Sequence, residues 1–351
     1  MKVLGRILDT KLDPLMGSTG WCMLDGDCCF VCAMDGNSLT SLDVFNPAAM
    51  SVLQALTDPI LGRLTGCEGI AIRGNYCHVG GYTSDRFTVV DKTDPSNMSI
   101  VASLQDAELL DGACTIDNFG DYDFVGAYNK HRLTVVRVND PLNPVIVGNN
   151  FQDVVNLRNP TYVKCSRSGQ YLFVTARGSD KFVTMSISNP LDISIAGSCP
   201  CGLRISGMCL SADEKLAYVA DSQGNSLIVV DIEVPTAPSV LGTTAAVIPW
   251  ALVPACVSGT RFILVTSYNG DEVAVVDAYD PANPFVVEFL QDAALLNGAD
   301  DIKYRNGVAF VTLNAGGGLT SVSLKPRHVV TAKKCGSYSM RRCVSRSKVI
   351  T

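Results

Sequence analysis

The sequence predicts an all-β fold, a seven-bladed β-propeller of four-stranded antiparallel blades in which the last blade is closed by the N-terminal strand. Three observations carry this reading. A phrase made of a hydrophobic strand, a proline turn and a further strand recurs at near-constant spacing. Each period holds four strand-like runs, and none sustains the spacing of an amphipathic helix. The chain also opens on the end of such a phrase, residues 2–9, with no beginning to it.

The copies are TSLDVFNPAAMSVLQ (Asp43, Pro47), TVVDKTDPSNMSIVA (Asp91, Pro95), TVVRVNDPLNPVIVG (Arg137, Pro141), VTMSISNPLDISIAG (Ser186, Pro190), IVVDIEVPTAPSVLG (Asp231, Pro235) and AVVDAYDPANPFVVE (Asp277, Pro281). From one anchor to the next the steps are 48, 46, 49, 45 and 46 residues, and 46 beyond Asp277 lies Ser323 in a seventh third strand. In the fifth copy GMCLS, LAYVAD, SLIVVDI and APSVLG read as the four strands, with ADEK and SQGN as turns. The proline belongs in the turn after the third strand, because an interior strand would need the N–H it lacks. QDAELLDGA (105–113) and QDAALLNGA (291–299) read as a helical turn between blades. The seventh copy has no fourth strand, and KVLGRILD aligns with SVLGTTAA, so residues 2–9 are expected to complete it and remove an open edge. The domain reading is therefore a propeller over 1–324 and a separate segment over 325–351.

Composition agrees with a large core: 47% of the 351 residues are hydrophobic and 18% are charged. No secretory signal is read at the N-terminus. The 27 uncharged residues between Glu233 and Arg261 contain Pro235, Pro238, Pro249 and Pro254 and keep the repeat register, so they read as strands and not as a membrane span. Fourteen cysteines, several inside strand-like runs, read as small core hydrophobes. They point to a reducing compartment, the cytoplasm or a particle assembled inside a cell.

The IVVD phrase with its proline turn and VLG-type strand resembles the LVIVD repeat of seven-bladed propeller proteins, and LAYVADSQGNSLIVVDI is similar to the related YVTN-type repeat. The resemblance spans about residues 2–324 and is fullest in copies two, three, five and six; VTMSI and SVSL depart from it. It implies a propeller that binds other molecules, often at surfaces or in assemblies, and brings no common catalytic set.

The residues themselves suggest no catalytic residue. The three histidines, His78, His131 and His328, have no metal-ligand spacing. Cys29 and Cys32 would face opposite sides of a strand, so they cannot share an ion or close a disulfide. Cys199 and Cys201 read as lying in a loop between blades four and five. NAGGGLT (314–320) lacks the lysine and helix of a phosphate loop and reads as a turn. The starts of the first strands should converge on a central mouth with Trp21, Glu68, Cys114, Thr161, Met208, Trp250, Asp300 and Asp301. Of these Trp21, Glu68, Trp250, Asp300 and Asp301 are the candidate ligand-binding set. Two indoles and three acids suit a cationic or peptide ligand, or a divalent cation such as calcium; no other cofactor is expected.

The net charge of −6 is uneven. Residues 325–351 hold eight basic residues, among them Lys333, Lys334, Arg341, Arg342, Arg346 and Lys348, and no acid. That leaves 20 of the 28 basic residues against all 34 acidic ones elsewhere, a net of −14. The segment reads as an arm for an acidic surface, with a protein partner or self-assembly favoured over nucleic acid. The functional expectation is a non-enzymatic assembly scaffold; the alternative is a lactonase-like propeller hydrolase working at the mouth.

Overall fold

In the computed structural model, residues 1–8, 19–248 and 250–324 are described here. They form seven four-stranded antiparallel sheets, with a single 3-10 turn at Tyr128–Lys130 as the only helical element among them. Each sheet is a blade whose strands follow chain order from the channel outward, except the seventh. There the order is Ala299–Arg305, Val308–Leu313, Gly318–Ser323 and finally Lys2–Leu8, so the N-terminal strand is the outer strand of the last blade.

The closure uses the same geometry as the continuous blades. In every blade but the third the outer strand carries a register shift against the third strand, as at Val3/Gly5 in the seventh blade, Ser41/Leu42 in the first and Val229/Val230 in the fifth. The bulge presses the outer strand against the proline turn of the next blade. A Cβ on Gly5 would lie 2.5 Å from the Pro47 carbonyl oxygen, and one on Gly242 would lie 2.3 Å from that of Ala282. The hydroxyl of Ser321 donates to the Pro47 carbonyl at 2.5 Å, as Ser41 donates to Pro95. The VLG glycine of the repeat is therefore small because a neighbouring backbone occupies the space of a side chain.

The core is distributed between blades. Phe30, Cys32 and Leu39 of blade one pack with Cys67, Ile70, Cys77 and Val79 of blade two. Cys22, Cys29, Val31 and Leu42 meet Phe310 and Leu319 across the closing seam, with Ile7 of the N-terminal strand against them. Cys29 and Cys32 thus face opposite sides, and all twelve cysteines among the described residues are free. His78 stands where other second strands carry Phe30, Phe124 or Phe173, and its ring pairs with the Asp123 carboxylate of blade three, both buried. Burial pushes that carboxyl up, and the imidazole draws it back down.

One sequence expectation changes in detail. Cys199 is not in a loop: the outer strand of blade four runs Ser194–Pro200, and Phe182 pairs with Cys199. Cys199 and Cys201 are packed into the core of blades four and five, where burial pushes the Cys199 thiol up to about 11 and Cys201 upward as well. The inter-blade turns at 106–110 and 292–296 each close one helical turn, as expected, through Leu110 N–H to the Asp106 carbonyl and Leu296 N–H to the Asp292 carbonyl. Among the described residues no helix is long and apolar enough to cross a membrane. Residues 325–351, with the six basic positions singled out above, lie outside the described residues, as does Asp9.

Candidate functional site: the central mouth

Seven inner strands surround a channel, and their N-terminal ends open into a cavity of about 360 Å³. That volume lies at the lower end of the range for small-molecule pockets. Two rings of residues build it. The first is the second residue of each inner strand: Gly20, Glu68, Cys114, Thr161, Ser206, Leu252 and Asp300. The second comes from the residue just past the second strand, where the chain turns back at the mouth: Met34, Tyr82, Tyr128, Arg177 and Asn314.

Of the expected residues, Trp21, Glu68, Cys114, Thr161 and Asp300 line this cavity. Met208 does not. It is two positions further along its strand and is buried against Phe182 and Cys201 between blades four and five. Asp301 is also buried, and its carboxylate is fully engaged. It accepts the Cys22 amide at 2.8 Å, the Ile302 amide at 2.8 Å and the Lys303 ammonium at 2.7 Å. The inner strand of a blade is a sheet edge, so its outward N–H groups need partners. Thr115 accepts the Val163 amide of the next blade at 3.1 Å, and Asp301 does the same for Cys22. Asp301 is a structural link between blades seven and one.

Trp250 does not line the cavity but brackets it. It sits one residue before the strand Ala251–Cys256, with a left-handed φ of 54°, and its amide donates to Asn225 at 2.8 Å. Its ring faces two guanidiniums, Arg177 at 5.9 Å and Arg204 at 5.6 Å from the centroid. Arg177 is thereby held at the mouth by an aromatic face. Burial lowers its pKa, and the like charge of Arg204 lowers it further.

The mouth is electrostatically divided. Glu68 of blade two and Asp300 of blade seven stand on the two blades flanking blade one. Burial pushes the Glu68 carboxyl up to about 8, with Asp300 adding to the rise, while the Trp21 indole N–H and Arg177 draw it down. Asp300 is pushed up to about 7 by burial and by Asp301, against the Asn314 amide and Lys303. Arg177 belongs to blade four, on the far side of the ring. Two polar atoms at this mouth are shielded and have no hydrogen-bond partner: Oε2 of Glu68 and Nε of Arg177. Tyr82 and Tyr128 form the wall between them, with ring centroids 5.9 Å apart. Below, Trp21 and Tyr162, from blades one and four, meet across the channel at 4.6 Å between centroids. Among the described residues no group of three His, Cys, Asp or Glu side chains converges as a metal site.

Around the mouth, four of the turns from an outer strand to the next inner strand expose apolar side chains. Ile60 is 90% exposed, Leu61 60%, Val154 58%, Val155 65%, Leu203 51% and Val247 65%.

The model of the LVIVD repeat matches residues 67–106 and 207–245, which cover blades two and five. No curated protein matches the chain. Solved structures match in fold. The β-propeller domain of Cps50 (Swd1) from Myceliophteria thermophila is 11% identical, with a TM-score of 0.70 over 92% of this chain and 99% of that one. The periplasmic gluconolactonase PpgL of Pseudomonas aeruginosa is 15% identical, with a TM-score of 0.67 over 82% and 87%. A virginiamycin B lyase from Staphylococcus aureus, solved with quinupristin, is 9% identical, with a TM-score of 0.69 over 91% and 98%. At these identities the likeness establishes architecture alone. The chain is a seven-bladed β-propeller whose second and fifth blades carry LVIVD repeats.

Proposed function

We propose that the protein is a non-enzymatic interaction module, an assembly scaffold whose mouth face docks a protein partner or a further copy of the chain. The observation that carries this reading is the exposed apolar rim at Ile60, Leu61, Val154, Val155, Leu203 and Val247, which borders the recessed pocket. Exposed apolar side chains in neighbouring turns suit an association surface; the proline turns of the opposite face carry a second set, Phe45, Leu142, Leu191, Val234 and Tyr279. The charge split supports the same reading: the basic segment with Lys333, Lys334, Arg341, Arg342, Arg346 and Lys348 suits an acidic surface such as this propeller's own. Free buried thiols favour a reducing compartment.

The test is the size of the complex in solution and the retention of a co-purifying partner. Ile60→Asp combined with Val155→Asp should dissociate it, with the melting temperature within a few degrees of the parent. Phe45→Asp, an exposed substitution in a proline turn on the opposite face, should leave it intact. Deleting 327–351 should weaken it. A complex that survives both the rim substitutions and the deletion refutes the scaffold reading.

One observation favours the second reading, a lactonase-like hydrolase: the Glu68 and Asp300 carboxyls titrate near neutrality, where a general acid or base works best. Metal analysis and thermal shift with calcium, magnesium and sugar lactones test it, and a specific shift abolished by Glu68→Gln would support it.

A further inference from the structure

We propose that the central mouth binds a small zwitterion, a molecule bearing a primary ammonium and a carboxylate on an apolar or aromatic body, of which an α-amino acid is the simplest form. This goes beyond the docking of a macromolecule on the rim, because it concerns the recessed cavity and not the surface around it.

The fold leaves two groups at this mouth incomplete. Glu68 offers one carboxylate oxygen to the Trp21 indole, and its other oxygen is shielded without a partner. Arg177 is steered by Trp250 into the opposite side of the same cavity, and its Nε is likewise shielded without a partner. A shielded polar group left unsatisfied is costly, and more so when charged. Completing both from one molecule requires a donor at one end and an acceptor at the other.

Charge then selects the ends. Asp300 stands with Glu68, so the acidic side presents two carboxyls to one small volume and favours a cation between them. Arg204 stands behind Arg177 across the Trp250 ring, so the other side carries two guanidiniums and favours an anion. A cation alone would satisfy the first side and leave Arg177 without its counter-charge; an anion alone would do the reverse. Between the two sides Tyr82 and Tyr128 provide an aromatic wall. The cavity of about 360 Å³ accommodates an amino acid or a dipeptide, not a folded domain.

Titration calorimetry on the full chain provides the test, with four probes: L-phenylalanine, phenethylamine, 3-phenylpropionate and alanyl-phenylalanine. The expected result is that a zwitterion binds at least ten-fold more tightly than either probe with a single charge. Whether phenylalanine or the dipeptide binds more tightly then separates a free amino acid from a peptide as the source. Glu68→Gln should bring phenylalanine down to the affinity of 3-phenylpropionate, and Arg177→Met should bring it down to that of phenethylamine. Asp300→Asn provides a second acidic-side variant should Glu68→Gln melt early, and it should weaken phenylalanine and phenethylamine alike. If phenethylamine binds as tightly as phenylalanine, or if none of the four binds at millimolar concentration, the proposal is overturned. Neither outcome touches the docking reading, which the rim substitutions test separately.

Discussion

The outer half of each blade and its inner end obey different rules. Outside, one kind of joint recurs, a bulged outer strand pressed close to the next blade's turn, and in blades seven and one a serine bonds to that turn's proline carbonyl, at Ser321–Pro47 and Ser41–Pro95. Inside, equivalent positions hold Gly20, Glu68, Cys114, Thr161, Ser206, Leu252 and Asp300, seven different side chains. Ring closure demands similar joints, since each blade must meet two neighbours in one geometry. The channel imposes no such symmetry. Changes outside should therefore act on the fold, and changes inside on binding, even at some gain in stability.

The largest effect is expected from removing residues 1–8. This takes away the outer strand of blade seven, the Ser321 contact to Gly5 and the Ile7 contribution to the seam core. Loss of roughly 5 kcal/mol or more, comparable with the whole stability of many domains, should appear as early or non-cooperative melting in calorimetry. A deletion that melts like the parent would show that the joint at blade seven is not equivalent to the others. Next comes Gly242→Val, whose first side-chain atom would meet the Ala282 carbonyl. It should cost about 1–3 kcal/mol by denaturant titration, with no change in binding at the mouth.

The smallest effect has the opposite sign and sharpens the contrast. The Glu68 carboxyl is raised from its ordinary 4.5 to about 8 in the folded chain. The unfolded chain therefore releases this proton first, and stability falls as pH rises from about 4.5 through about 8. Below that window the group contributes nothing. Glu68→Gln should leave melting at pH 4 unchanged and raise stability at pH 8.5 by roughly 1 kcal/mol, discounted because the mouth is open to water. Equal melting of variant and parent at both pH values would remove Glu68 from the set of groups held against their own stability.

What the sequence reveals follows the same division. Proline turns, anchors and the opening strand are periodic, so the seven blades and the way they close are visible in the letters. The first ring of the mouth is legible because it sits at a fixed place in the period, which is why Glu68, Cys114, Thr161 and Asp300 could be placed together. The second ring was within reach by the same logic, since Tyr82, Tyr128 and Arg177 each follow a second strand. Strand starts alone do not point to them. Trp250 and Asp301 were hidden for other reasons. A left-handed residue turns Trp250 from lining the cavity to holding Arg177. The need of an edge N–H for an acceptor spends Asp301 on Cys22. Neither backbone conformation nor hydrogen-bond demand across a seam is written in a linear spacing.

The pairing of Lys2 with Ser323 fixes one more property. In blade seven the strand Gly318–Ser323 begins at the mouth side and ends on the opposite face, so Lys2 and Leu324 both lie on the side turned away from the cavity. A tag or a bead joined ahead of Lys2 holds the molecule from behind, with the mouth directed outward into solution. Immobilised through that strand, the protein presents every copy of its pocket in the same direction.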